Sequence, residues 1–151
     1  MPFTLYHFGP VLVIGYMLRR SIHWPTFLVA SIIIDIEPLL VLISVLVNYP
    51  LHGYLHTILA SIIGGTFIGI VMHFVNKQLK NIYEELALID KPLSIKRYII
   101  AGIAGWLIHI LYDAPLYNEM IPLYPLPETL FTVLYLTFSF KESIQHYFTL
   151  E

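Results

Sequence analysis

The stretch WPTFLVASIIIDIEPLLVLISVLV, residues 24–47, decides the class of this protein. Its only charged side chains are those of Asp35 and Glu37. A helix needs about 20 mainly apolar residues to cross a bilayer. The stretch is therefore long enough to span a membrane.

The composition of the whole chain also indicates a membrane protein. The 151 residues are 58% hydrophobic and 12% charged, with a mean hydropathy of +0.75, whereas about a quarter of a soluble domain is charged. A net charge of -2 with scattered Lys and Arg leaves no basic surface, so we expect no nucleic-acid partner. The chain has no Cys, which excludes disulfides, thiolate catalysis and thiolate metal sites.

Four further apolar stretches accompany residues 24–47, at residues 3–18, 54–75, 98–117 and 129–140. We therefore predict a single all-α polytopic membrane domain over residues 1–151, with about five transmembrane helices. The first and last stretches are short and need tilt or local thinning of the bilayer. Membrane lipids are the expected partners; homo-oligomerisation is left open, and no feature predicts a protein partner.

The basic residues predict the orientation of the five spans, because cytoplasmic loops are enriched in Lys and Arg. If each charge fell on either side at random, all eight would share one side about once in a hundred trials. We predict that the N-terminus is outside and the C-terminus is cytoplasmic. The residues that fall on the predicted cytoplasmic side are Arg19, Arg20, Lys77, Lys80, Lys91, Lys96, Arg97 and Lys141.

Asp35 and Glu37 lie near the middle of residues 24–47, where an ionised carboxylate without a partner costs a few kcal/mol or more. Two residues of a regular helix rotate by about 200°, so one carboxylate would face lipid. Pro38 disfavours helical geometry at the residue before it and lacks an amide donor. We predict that the second helix is broken near Ile36 and Pro38. The structural alternative is a carboxylate pair that caps neighbouring helices or pairs with buried histidine.

Two pairs of metal-ligating residue types occur at the predicted outer ends of the third and fourth segments. His52 and His56 are four residues apart, and so are His109 and Asp113. Residues four apart lie about 40° apart on one helix face, so each pair can present two donors to one ion if the helix includes both.

Small residues continue the helix faces that carry these pairs. Gly64 follows His56 by two turns, and Gly105 precedes His109 by one. Small residues let membrane helices approach closely. We therefore predict that the third and fourth segments pack antiparallel along these faces and bring the two pairs together.

His7 joins the set because the predicted topology places it at the outer end of the first segment, although an interfacial histidine would also fit there. Imidazoles and carboxylates suit Zn²⁺, Mn²⁺ or Fe²⁺ better than Mg²⁺, Ca²⁺ or Cu⁺. We predict one or two ions, zinc being the first choice, with Asp35 or Glu37 as the catalytic base. The metal-ligand candidates are His7, Asp35, His52, His56, His109 and Asp113.

Four motifs resemble those of a known family: MPFTLYHFGP at 1–10, DIEP at 35–38, HGYLHT at 52–57 and HILYDAP at 109–115. Their order and spacing are similar to the YdjM-like family of predicted membrane-bound metal-dependent hydrolases, closest to small archaeal members. The chain departs from the bacterial pattern at Glu37, which replaces a second Asp, and at His52, which stands where that pattern has Arg. The resemblance covers residues 1 to about 127 and implies a multi-pass protein of a prokaryotic plasma membrane. It implies metal positions at His7, Asp35, His56, His109 and Asp113.

These features predict a membrane-embedded metal-dependent hydrolase. A water activated by the metal near the outer leaflet could attack an ester or phosphoester of a lipid or lipid-like substrate. One alternative is a transporter or binding protein for a divalent metal or protons. That alternative needs polar residues through to the inner face, and the chain offers only His73 and a few Ser and Thr there. A third reading, haem held by His56 and His109, leaves the carboxylates without a role.

Overall fold

The computed structural model describes residues 5–43, 45, 48–85, 93–114, 117 and 120–126, and the side chains of these except 5–8, 77 and 79–85. Over the residues described, the chain is helical and contains no strand. A short 3₁₀ turn, Tyr54–His56, precedes the fourth helix. The five helices are α1 (Leu5–Met17), α2 (Trp24–Ile33), α3 (Ile36–Leu42), α4 (Ile58–Glu85) and α5 (Ile95–Asp113).

Three helical segments are long and apolar enough to cross a membrane: Trp24–Leu42, which joins α2 and α3, Ile58–Asn76 within α4, and Ile95–Asp113. Helix α1 has 13 residues, or about 20 Å of helix, against a hydrocarbon layer of about 30 Å. The predicted span at residues 129–140 lies outside the described residues. The all-helical class with three candidate spans is confirmed, while the number five and the orientation stay predictions.

The second apolar segment is interrupted at Ile34 and Asp35, just before the predicted position. Pro38 has no N–H for the carbonyl of Ile34, and the amide of Glu37 donates to that carbonyl instead at 3.2 Å. The amide of Asp35 likewise donates to the carbonyl three residues back, that of Ile32, at 3.0 Å. The interruption is therefore a tightened turn with 3₁₀ bonding, in which the backbone stays in the helical region.

Glycines bring α5 against two neighbouring helices. A Cβ atom at Gly102 would overlap the carbonyl oxygen of Gly65 in α4, and one at Gly105 would overlap that of Phe27 in α2. The predicted pairing of the Gly64 and Gly105 faces is therefore wrong, because the Gly105 face is occupied by α2. As a result α5 packs against both α2 and α4, and the last turn of α5 lies beside the end of α2.

Helix α4 begins later than predicted. Thr57 is extended, with φ -116° and ψ 154°, and its hydroxyl oxygen accepts the amide of Ala60 at 3.1 Å. Thr57 therefore caps the helix. His52 and His56 both precede α4, so the condition for a shared helix face, a helix that includes both, is not met. Their rings are nevertheless neighbours, with centroids 4.7 Å apart.

Candidate metal centre

Four side chains from three parts of the chain converge: Asp35 between α2 and α3, His56 in the 3₁₀ turn, and His109 with Asp113 at the end of α5. One potential ligand atom of each lies within 4.8 Å of all the others. Nε2 of His109 is 3.0 Å from Oδ2 of Asp113 and 3.3 Å from Oδ1 of Asp35. Ligand atoms about 2.1 Å from a tetrahedral zinc are about 3.4 Å apart. The group could therefore hold a metal ion after small side-chain movements.

The charges of this four-residue group favour a cation. Asp35 and Asp113 bring two carboxylates to a point where the Asp113 side chain is 3% and the Asp35 side chain 15% exposed. Uncompensated charge is costly in such surroundings. Nε2 of His109 lies between the two carboxylates and carries at most one proton. A divalent cation would balance both charges, and two imidazoles with two carboxylates suit Zn²⁺, Mn²⁺ or Fe²⁺.

The two ring nitrogens of His56 have different surroundings. Its Nδ1 lies 2.7 Å from Oε2 of Glu37. Its Nε2 is buried and has no hydrogen-bond partner within the described part of the chain. The four-residue group therefore includes a histidine whose Nε2 has no hydrogen-bond partner among the described residues.

Glu37 lies beside the four-residue group, with its own carboxylate surrounded by donors. The side chain is buried, and besides His56 it accepts the Tyr49 hydroxyl at 2.7 Å and the amides of Gly53 and Leu55 at 3.1 Å each. Four donors match the roughly four lone-pair sites of a carboxylate. Burial, together with the neighbouring carboxylate, raises the pKa of Tyr49 to about 12, so its hydroxyl keeps the proton that it donates.

Sequence analysis did not identify Tyr49 and Gly53, which shape the loop before α4. A Cβ atom at Gly53 would overlap the ring of Tyr49. The carbonyl of Leu55 accepts Nε1 of Trp106 at 2.9 Å, which ties the loop to α5. The sequence offers two local signals for this loop: Tyr49 is followed by a proline, and Gly53 directly follows His52.

One predicted ligand, His52, is not a member of the group. His52 is buried, with Nε2 3.8 Å from Oδ2 of Asp113 and its ring against Tyr117 at a centroid distance of 3.9 Å. It therefore lies next to the group, beyond hydrogen-bond distance of that carboxylate. His7 is on α1, and its side chain is outside the described part of the structure.

Comparison with protein-family models, with curated proteins and with solved structures found no match for this chain. The family resemblance therefore rests on the four motifs.

Proposed function

We propose that this chain is a membrane-embedded hydrolase that depends on a divalent metal held by the four-residue group. The observation that carries the proposal is the convergence of the four donors within 4.8 Å at the ends of two candidate spans. Zinc is the preferred ion, and the same donors also suit Mn²⁺ or Fe²⁺. A bound ion would polarise an ester or phosphoester and lower the pKa of the attacking water.

Asp35 is the member of the group best placed to accept a proton. Its side chain is 15% exposed, whereas those of His109 and Asp113 are 1% and 3% exposed. A carboxylate on the open side can contact both water and substrate and can act as the general base. Glu37 is already engaged with four donors, and the proposal assigns the base to Asp35 alone.

The surroundings of Asp35 support a lipid or lipid-like substrate. Ile33, Ile36 and Leu39 on the same two helices are 36%, 46% and 37% exposed. All of them belong to the candidate span Trp24–Leu42. Exposed apolar side chains on the candidate span that carries a partly exposed carboxylate favour a substrate dissolved in the bilayer. The proposed reaction is hydrolysis of an ester or phosphoester near the headgroups.

The test combines metal analysis with turnover. Protein purified in detergent without added metal should carry one or two divalent ions per chain by elemental analysis. It should hydrolyse phosphatidylglycerol or phosphatidic acid in mixed micelles faster than p-nitrophenyl acetate or p-nitrophenyl phosphate, and a chelator should stop it. Absence of bound metal after supplementation would refute the proposal. Bound metal with no turnover, but with zinc flux into proteoliposomes, would favour the transport alternative.

The location follows from the same proposal. We place the site at the outer face of a plasma membrane, because the predicted orientation puts all eight basic residues on the other side. A reporter fused after Gly53 should therefore report an external position. A cytoplasmic signal from that fusion would move the site to the inner face.

A further inference from the structure

The donors around Glu37 define which atoms carry protons. The amides of Gly53 and Leu55 can only donate, and the Tyr49 hydroxyl, 2.7 Å from Oε1, itself accepts the amide of Tyr54 at 2.9 Å. A proton on Oε1 would point at one of these donors, and a proton on Oε2 could be accepted only by Nδ1 of His56. Three donors from the loop favour the ionised form of Glu37, which then also accepts from His56.

This arrangement determines the tautomer of His56. Nδ1 of His56, 2.7 Å from the accepting Oε2, has to carry the hydrogen of that bond. In the neutral ring, Nε2 then presents a lone pair. Nε2 is the buried nitrogen that has no partner among the described residues, and His56 is the ring that completes the four-residue group. Metal-bound histidines are commonly oriented by an outer carboxylate in this way.

We infer that Glu37 is a positioning residue of the metal centre, which holds His56 in the tautomer whose Nε2 can bind the ion. The inference rests on the proposed metal site and gives Glu37 a role other than that of a base. The same carboxylate binds the amides of the loop that carries His56. One buried side chain on α3 therefore sets both the position and the protonation of a ligand on the loop.

The unaltered chain provides the first test. Metal-free protein labelled with ¹⁵N-histidine should show His56 with the proton on Nδ1, and its signals can be assigned by their loss in His56→Asn. The opposite tautomer, with the proton on Nε2, would overturn the inference. This measurement needs neither bound metal nor a variant at Glu37, so it remains decisive if the proposed metal function fails.

The second test uses Glu37→Gln, which keeps the size of the side chain and removes its charge. An amide NH₂ among these donors leaves at least one of them without an acceptor, and His56 loses its ionised partner. We expect part of His56 to shift to the Nε2–H tautomer and zinc affinity to fall 10- to 100-fold, the range typical of an outer partner. Tyr49→Phe is the matched control, because it removes another donor from the same carboxylate. It should leave the tautomer unchanged and zinc affinity within about 3-fold.

A double-mutant cycle separates positioning from a general effect on the fold. In a His56→Ala background, Glu37→Gln should change the remaining zinc affinity by less than about 3-fold, because the ligand that it positions is gone. An equal loss of affinity in both backgrounds would overturn the inference. So would a folded Glu37→Gln protein with wild-type zinc affinity and an unchanged His56 tautomer.

Discussion

The two ends of the helix bundle both bury histidines, and they use them in different ways. At one end, His56 and His109 face carboxylates at 2.7 to 3.3 Å. At the other end, His23 stacks on Tyr98 in the first turn of α5, with ring centroids 4.1 Å apart. Tyr98 precedes His109 by three helical turns, or about 16 Å. The two histidine environments are therefore separated by about half the thickness of the hydrocarbon layer.

His23 uses its ring nitrogen to end a helix. Its Nδ1 accepts the amide of Thr26 at 3.3 Å and lies 2.7 Å from the Thr26 hydroxyl, so it caps α2. Burial lowers the pKa of His23 to about 4; repulsion from His73 adds to this, and a hydrogen bond with Asn76 opposes it. His23 is thus a neutral ring whose Nδ1 lone pair is occupied by the backbone.

The difference indicates what would make a buried histidine available to a metal ion. Nδ1 of His23 accepts a hydrogen bond from a helix amide, whereas Nδ1 of His56 donates one to the carboxylate of Glu37. Nε2 of His56 then remains available to a metal ion. The residue type is the same in both, and the partner of Nδ1 decides the role. Four changes test this contrast, in decreasing order of the effect that we expect.

His109→Gln should remove the metal, whereas His23→Gln should not. Glutamine keeps a donor for the two aspartates but lacks the imidazole ligand. We expect zinc affinity to fall roughly 100-fold or more, beyond the range for outer partners. Saturating zinc, which should stabilise the wild type by about 2.7 kcal/mol at 100 times Kd, should no longer raise the Tm of His109→Gln. Equal metal loss in both variants would remove the distinction between the two ends.

Lowering the pH should destabilise the protein through His23. Because the folded pKa of His23, about 4, lies below the usual histidine value of 6.5, the unfolded chain binds the proton first. Protonation of His23 in the unfolded chain has no effect on stability well above pH 6.5. Below that pH it lowers the free energy of unfolding as the pH falls toward 4, by at most about 3 kcal/mol. Thermal unfolding of wild type and His23→Gln in detergent, from pH 7.5 to 4.5, isolates the effect. Parallel curves for the two proteins would contradict it.

Gly53→Ala should disturb the loop at the metal end. The added methyl group would overlap the Tyr49 ring, and overpacking of this kind costs about 1–3 kcal/mol. The free energy of unfolding and the zinc affinity should both fall. Gly9→Ala in α1 is the control, since a Cβ atom there has nothing within 4 Å apart from its chain neighbours, and its expected cost is limited to contact with the following Pro10. A Gly53→Ala protein as stable as Gly9→Ala would show that the ring of Tyr49 is free to move.

Tyr49→Phe should have the smallest effect, about 1 kcal/mol in the free energy of unfolding, because it removes one hydrogen bond to a buried carboxylate. Tyr16→Phe, which alters an exposed ring on α1, should change stability by less than about 0.5 kcal/mol. Chemical denaturation of both variants in the same detergent compares them. If the two losses are equal, the Tyr49 hydroxyl contributes nothing specific to the Glu37 network.

The comparison of prediction and structure separates local from long-range information. The long apolar stretches predict membrane-length helices because hydropathy and chain length act within one segment. The interruption before Pro38 is also local, since a missing amide changes the bonding of its own turn. The spacing of His109 and Asp113 places both on one face of α5, which the structure retains.

Local patterns in the chain therefore predict the helical class, the interrupted segment and the residue types able to bind a metal. The packing of distant segments brings Asp35 into the four-residue group, places the Glu37 carboxylate against Nδ1 of His56 and turns Gly105 toward α2. These outcomes depend on which faces of distant segments meet and on the path of the loop before α4. Side-chain packing between segments sets the meeting faces and the path of the loop. The spacing of residues within a single segment does not encode that packing.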